Sequence, residues 1–185
     1  MMEITRGDVY LCRHATPDFN RRDIPYHIPP GPPLVEKGLV EANALGQFLL
    51  PLHITRMSAS PLERCWHTAK IASQIGGYSF EILDNLIELY PNESLESVQD
   101  RSYPVLEAAW LDSLEGGPVA LVTHGGVVQA LLLKLGMSKK QVMEYNHMFD
   151  HANPIPPAGA WKISRTSDDI WEMELVFQPQ LAIAD

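Results

Sequence analysis

Pro118-Val119-Ala120-Leu121-Val122-Thr123-His124-Gly125-Gly126 is the stretch that decides the architecture. Its Val-Ala-Leu-Val centre is apolar on both faces of a strand, so both faces need cover. Gly125-Gly126 then opens an apolar helix through Leu135 that ends at Gly136. A doubly covered strand leading straight into a helix is the unit of a parallel sheet with helices on each side.

Working outward, the same alternation recurs. Residues 8–13 read as a short strand with Val9 and Leu11 on one face. Residues 35–50 are helical in pattern, with Leu39, Ala42, Gly46 and Leu49 spaced for one face. Residues 54–58 form a second strand. Ser60-Pro61-Leu62-Glu63 reads as a helix start, with Ser60 as cap, Pro61 at the first position and Glu63 completing a capping box. That helix is expected to run to about Ile75 and stop at Gly76-Gly77. Residues 79–83 are a weak strand. Residues 95–114 read as a helix that Pro104 should kink or split. Residues 159–177 read as a hairpin, with Ser167-Asp168-Asp169 as the turn. The pattern predicts an α/β fold, a mostly parallel sheet with helices on both faces. No repeat or linker interrupts it, so residues 1–185 are expected to form a single domain.

Composition narrows the function. The chain has 185 residues, of which 45% are hydrophobic, and a formal charge of −9. That suits one globular domain with a sizeable core. Net negative charge repels polyanions, which argues against nucleic acid or an anionic membrane as partner. The longest apolar run, Ala130 to Leu133, is far short of the roughly 20 residues of a span. Residues 1–8 lack a basic start followed by an apolar stretch, so no signal peptide and a cytoplasmic location are expected. Cys12 and Cys65 read as free, small core residues. The prolines are uneven: six fall between Pro17 and Pro33, and Pro154, Pro156 and Pro157 cluster again. Both stretches read as loops, and uninterrupted loops of the first one's length are usually functional or disordered.

In such folds ligands bind beyond the carboxyl ends of the strands. Arg13-His14 ends the first strand, Ser60 to Arg64 follows the second, and Thr123-His124-Gly125-Gly126 follows the fourth. Two histidines and two arginines would meet there. Helix starts favour anions, and guanidinium forks match phosphate oxygens. A neutral imidazole among them can attack phosphorus, and neighbouring positive charge lowers its pKa and keeps it neutral. The arginines spread the charge of a transferring phosphoryl group, so this chemistry needs neither metal nor cofactor. An acid for the leaving oxygen is also needed. Glu88 is the candidate, with Asp84 and Glu93 as competitors.

These motifs together resemble the histidine phosphatase superfamily, also called phosphoglycerate mutase-like. Leu11-Cys12-Arg13-His14-Ala15-Thr16, Ser60-Pro61-Leu62-Glu63-Arg64, Leu86-Ile87-Glu88 and Val122-Thr123-His124-Gly125-Gly126 follow the family's order. Pro33-Leu34-Val35-Glu36-Lys37-Gly38 is a further familiar piece, and the C-terminal third matches loosely. The resemblance implies an α/β/α sandwich in which His14 becomes phosphorylated. It implies that Arg13, Arg64 and His124 hold the phosphoryl oxygens, and that Glu88 protonates the leaving group and then assists water. Asn20 takes the family's usual asparagine position and is expected to contact phosphate. Arg21, Arg22 and Tyr26, in the first proline-rich loop, read either as solvated loop or as the wall that meets the rest of the substrate; substrate contact is the expectation, with Arg21 as the binding residue. The sequence departs from the pattern at Ala15, where Gly is usual, and at Thr16-Pro17, where the threonine comes one residue early. It departs again at His67, where Gln is common, and at Tyr90-Pro91-Asn92.

Other readings carry less. His147 and His151 stand four apart like a metal pair, but Pro154 and weak periodicity argue against a helix there and no third ligand is evident. His67 is expected to pack beside Arg64, and His27 and His53 to lie at the surface. No arginine falls six positions after either cysteine, and no Gly-x-Ser-x-Gly elbow or Gly-Lys-Ser/Thr loop is present. The expectation is a phosphatase for a small phosphorylated substrate, with no metal, cofactor, nucleic acid or membrane. The alternatives are a phosphomutase and a non-catalytic phosphate-binding module. The sequence carries no signal for oligomeric state.

Overall fold

The structure, a computed structural model, describes residues 7–179. The first six residues, part of the stretch read for a signal peptide, lie outside that range. Six strands form one sheet: β1 (Val9–Arg13), β2 (Arg56–Ala59), β3 (Phe80–Ile82), β4 (Val119–Thr123), β5 (Ala160–Arg165) and β6 (Trp171–Phe177). Their order is β3-β2-β4-β1-β5-β6. The first four in that order run parallel, and the β5–β6 hairpin adds antiparallel to β1. Among the described residues the α-helices are α1 (Glu36–Leu49), α2 (Glu63–Gly76), α3 (Leu95–Gly116), α4 (Gly125–Lys134) and α5 (Lys139–Asn146).

The pleat divides the core. Val9, Leu11, Val119, Leu121, Trp161 and Ile163 point to one face, where α3 and α4 cover them. Tyr10, Cys12, Met57, Ala120, Val122 and Ala160 point to the other, under α1 and α2. All five residues of β1 and of β4 are therefore buried, as an apolar strand covered on both faces requires. This is the expected three-layer α/β/α sandwich with a mostly parallel sheet. Among the described residues no helix is long and apolar enough to cross a membrane.

Three local expectations are corrected, and one helix is added. α2 begins at Glu63 with Leu62 as its uncapped N-cap, so Ser60 makes no capping box. The Ser60 hydroxyl instead bonds His124, and the Glu63 N–H donates to the Pro30 carbonyl at 2.6 Å. Pro104 does not split α3. It sits exposed, and Asp100, whose carbonyl it deprives of a donor, is exposed too, so water can satisfy that group. Leu39 is 39% exposed; the buried face of α1 is Gly38, Glu41, Ala42, Leu45, Gly46 and Leu49. A short helix that periodicity did not reveal, α5, starts on a full capping box between Ser138 and Gln141.

Leu121→Ala, at the centre of β4, is expected to cost about 2–5 kcal/mol in urea unfolding. Leu111→Ala on the exposed side of α3 should change stability by less than about 0.5 kcal/mol. Equal losses would contradict this placement of the core.

Candidate active site

Strand register builds the centre of the site. Arg13 lies opposite Thr123 in the parallel β1–β4 pair, so the next residues, His14 and His124, emerge side by side. The His14 N–H donates to the Thr123 carbonyl at 2.9 Å, and the two rings lie 5.2 Å apart. The second proline-rich loop ties to the same strand end: Gly159 accepts from the Arg13 N–H, and the Ala158 N–H donates to His14, both at 3.1 Å. On the other side, Ala15 donates its N–H to Thr68 Oγ1 at 3.0 Å, and Thr16 donates to buried Glu41 at 2.8 Å. Gly38 lets α1 approach, because a Cβ there would sit 2.2 Å from the Thr16 carbonyl.

The protonation state of His14 follows from its partners. Nδ1 lies 2.7 Å from the Ala15 carbonyl, which can only accept, so Nδ1 carries the proton. Nε2 then holds a lone pair, and Arg64 Nε–H donates to it at 3.3 Å. Burial, followed by the charges of Arg64 and Arg13, holds the His14 pKa well below the usual imidazole value. His124 is also held well below it, first by burial and then by Arg64, His14 and Arg13. Its Nε2 lies 2.7 Å from Ser60 Oγ, and its Nδ1 faces Glu88 Oε2 at 3.5 Å.

Both arginines are buried. Arg64, in the first turn of α2, gives Nη1–H to the Tyr26 carbonyl at 2.9 Å and stacks on the Tyr26 ring at 4.0 Å. Its Nη2 is buried with no partner among the described residues. Arg13 forks onto Asp150, with Nη1 to Oδ1 at 2.7 Å and Nη2 to Oδ2 at 3.3 Å, and also donates to the Ile155 carbonyl at 3.1 Å.

Of the three candidate acids, Glu88 is the one at the histidines. Its side chain is 13% exposed. Burial raises its pKa above the usual carboxylate range, against the Leu89 N–H bond and the charges of Arg64 and Arg13. Glu93 is bound to Arg101 at 2.8 Å, and that bond pulls its carboxyl down to about 2. Asp84 is exposed. Polar atoms of His14, Glu88 and His124 lie within 4.8 Å of one another, a set that could ligate a metal ion. Two guanidinium charges beside them oppose a cation and favour an anion.

The structure does not bring Asn20 or Arg21 onto this cluster. Both are exposed; Asn20 gives its backbone N–H to Asp18, and Arg21 forks onto Asp23 at 2.9 and 2.8 Å. Arg22 is exposed as well. His147 caps the end of α5 and His151 lies in a separate turn with φ 53°, so the two do not share a helix face. The His67 ring lies 5.7 Å from that of Trp66. Cys12 and Cys65 are free and buried, with thiol pKa values pushed up by burial. Tyr26 was left open by the sequence, and Asp150 was missed as a partner of Arg13. No local signal marks a contact across 137 residues.

Two buried histidines and two buried arginines, gathered at the strand ends of an α/β/α sandwich, define the class. The family model described as histidine phosphatase superfamily (branch 1) matches residues 9–92 and 89–153. The chain belongs to that superfamily. No curated protein matches it. Similar solved structures include a mycobacterial glucosyl-3-phosphoglycerate phosphatase, 19% identical over 91% of this chain and 97% of that one, with a TM-score of 0.70. A phosphoglycerate mutase from Bacillus anthracis is 21% identical over 91% and 92%, with a TM-score of 0.72. An alpha-ribazole phosphatase from Shigella flexneri is 18% identical over 92% and 96%, with a TM-score of 0.70. At such identities the likeness speaks for the fold.

The two histidines set a direction for acid stability. Unfolded, they bind protons near pH 6.5; folded, they resist until lower pH, so the unfolded state binds more protons in that window. Stability is therefore present above about pH 6.5 and lost as pH falls below it. Urea unfolding between pH 7.5 and 5.5 should show this slope, and a His14→Gln/His124→Gln chain should show less of it. An unchanged slope in that chain would contradict the assignment.

Proposed function

We propose that the chain is a metal-independent phosphatase that hydrolyses a small phosphate monoester through a phosphohistidine on His14. Taking residues 1–185 as one catalytic domain belongs to the same proposal. The observation that carries it is the His14 tautomer: Nδ1–H is fixed on the Ala15 carbonyl, and the Nε2 lone pair points into a buried, doubly cationic site. The phosphatases among the similar structures agree with this choice of reaction.

In the first step Nε2 attacks phosphorus and the phosphorus–oxygen bond to the alcohol breaks. Arg64 must hand its Nε–H from the lone pair to a phosphoryl oxygen. Its unpartnered Nη2 offers a second donor to the phosphoryl group, and His124 and Arg13 offer more. Burial raises the Glu88 pKa and so favours its protonated form, which can give that proton to the departing oxygen. In the second step the Glu88 carboxylate takes a proton from water, the hydroxide attacks phosphorus, and the bond to Nε2 breaks. The sum is ester plus water giving alcohol plus inorganic phosphate, with His14 and Glu88 restored.

Glu88→Gln separates the two steps. With an alkyl phosphate its turnover should fall by on the order of 10²–10⁴-fold. With p-nitrophenyl phosphate, whose leaving group needs no proton, one equivalent of nitrophenolate should appear quickly, followed by slow turnover. Slow release with no burst would contradict the assignment. His14→Ala should release phosphate from neither ester. Interconversion of 2- and 3-phosphoglycerate without phosphate release would establish a mutase instead.

A further inference from the structure

Every group assigned to the phosphate is shut from solvent: His14, Arg13, Arg64 and His124 are 0–3% exposed. The donors that phosphate needs are held by the protein's own acceptors. Asp150 takes both terminal nitrogens of Arg13, and the Tyr26 carbonyl takes one of Arg64. Asp150 is placed to leave. Its side chain is 37% exposed while Arg13 is 3% exposed, so the carboxylate has a path to water and the guanidinium has none.

The backbone around it is under tension. His151 and Ala152, which follow Asp150, hold φ values of 53° and 52°. Residues with a β-carbon rarely adopt that left-handed region and keep it only when other contacts enforce it. The contacts that hold it include the Asp150–Arg13 pair, the His151 ring beside the Asp150 carboxylate at 3.5 Å, the Asn153 N–H and side-chain amide on the Asp150 carbonyl, each at 3.2 Å, the same amide on the His151 carbonyl at 3.4 Å, and the His151 ring on Phe19 at 4.9 Å.

We propose that Asp150 is an internal competitor for the substrate's phosphate, and that the Asp150–Ala152 turn is a gate closed by its ion pair with Arg13. This rests on reading the pocket as a phosphate site. A phosphate dianion brings more charge and more acceptor oxygens than one carboxylate, so it takes Arg13 and frees the turn. When phosphate leaves, Asp150 returns, so Arg13 is never left as an unpaired buried cation. Asp150 therefore sets phosphate affinity without touching the reacting atoms.

The test is calorimetric binding of inorganic phosphate to the full native chain, to Asp150→Asn and to Asp112→Asn. Asp112 pairs with Arg56 at the start of β2 and controls for the loss of one negative charge. Phosphate should bind Asp150→Asn tighter by on the order of tenfold, the worth of one charge-assisted pair, and should bind Asp112→Asn as it binds the native chain. Unchanged or weaker binding by Asp150→Asn overturns the gate, and weaker binding would make Asp150 a positioning residue for Arg13. If Asp150→Asn does not fold, hydrogen exchange of the native chain decides. Amides 150–153 should exchange faster when phosphate is added, and slower or unchanged exchange overturns the gate. If neither chain binds millimolar phosphate, the reading of the pocket as a phosphate site fails along with the gate.

Discussion

The structure is organised around two buried guanidinium groups. A cation taken from water costs several kcal/mol unless each N–H finds an acceptor. Arg13 meets most of this with Asp150 and the Ile155 carbonyl, and Arg64 with the Tyr26 carbonyl, the Tyr26 ring and the His14 lone pair, which leaves Arg13 Nε and Arg64 Nη2 without a partner among the described residues. Those acceptors come from three separate parts of the chain. The arginines thus pull both proline-rich loops over the strand ends. Burial first, and then their charge, keeps His14 and His124 neutral. Loop closure and anion preference share one cause, and histidine protonation state is reinforced by it.

The sheet makes this burial possible. β1 and β4 are adjacent and parallel, covered on both faces, and end together. Any residue following them is carried into a layer that α2 and α4 already roof. Small residues let the parts close. Gly126 admits Glu88, since a Cβ there would lie 2.8 Å from Oε1, and Gly125 admits the Asn153 side chain in the same way. The family's Gly-Gly after its second histidine thus has a packing reason in this chain. The net charge of −9 does not conflict with an anion site. The positive charge is concentrated at Arg13 and Arg64, under the surface; on the proposed function a compact phosphate would reach it once the Asp150 turn opens, while a long polyanion is repelled by the acidic exterior.

What could be read from the residues was set by locality. The covered strand, the glycine stops and the four strand-end motifs are short patterns, and each landed where expected. Arg13, His14, Arg64, Glu88 and His124 converge because strand register and short connections leave them little freedom. The errors have the opposite character. Ser60 looks like a helix cap from its neighbours, but a histidine 64 positions away claims its hydroxyl. Asn20, taken from the family resemblance, stays off the cluster, where its backbone N–H bonds Asp18, and Arg21, read for the rest of the substrate, forks onto Asp23. Asp150 became visible only in three dimensions, where Tyr26, left open by the sequence, proves to hold Arg64 with its carbonyl and ring. The split expected at Pro104 does not occur, because its cost depends on whether the freed carbonyl faces water.

The most direct test of the account is the chemistry of the trapped phosphoenzyme. The native chain should be mixed with an excess of a reactive phosphate ester, quenched in base within milliseconds, and digested for phosphorus and nitrogen NMR. The account predicts phosphate on His14 and on its Nε2, because Nδ1 is occupied by the proton given to Ala15. Phosphate on Nδ1, on His124, or on neither histidine during turnover would contradict it.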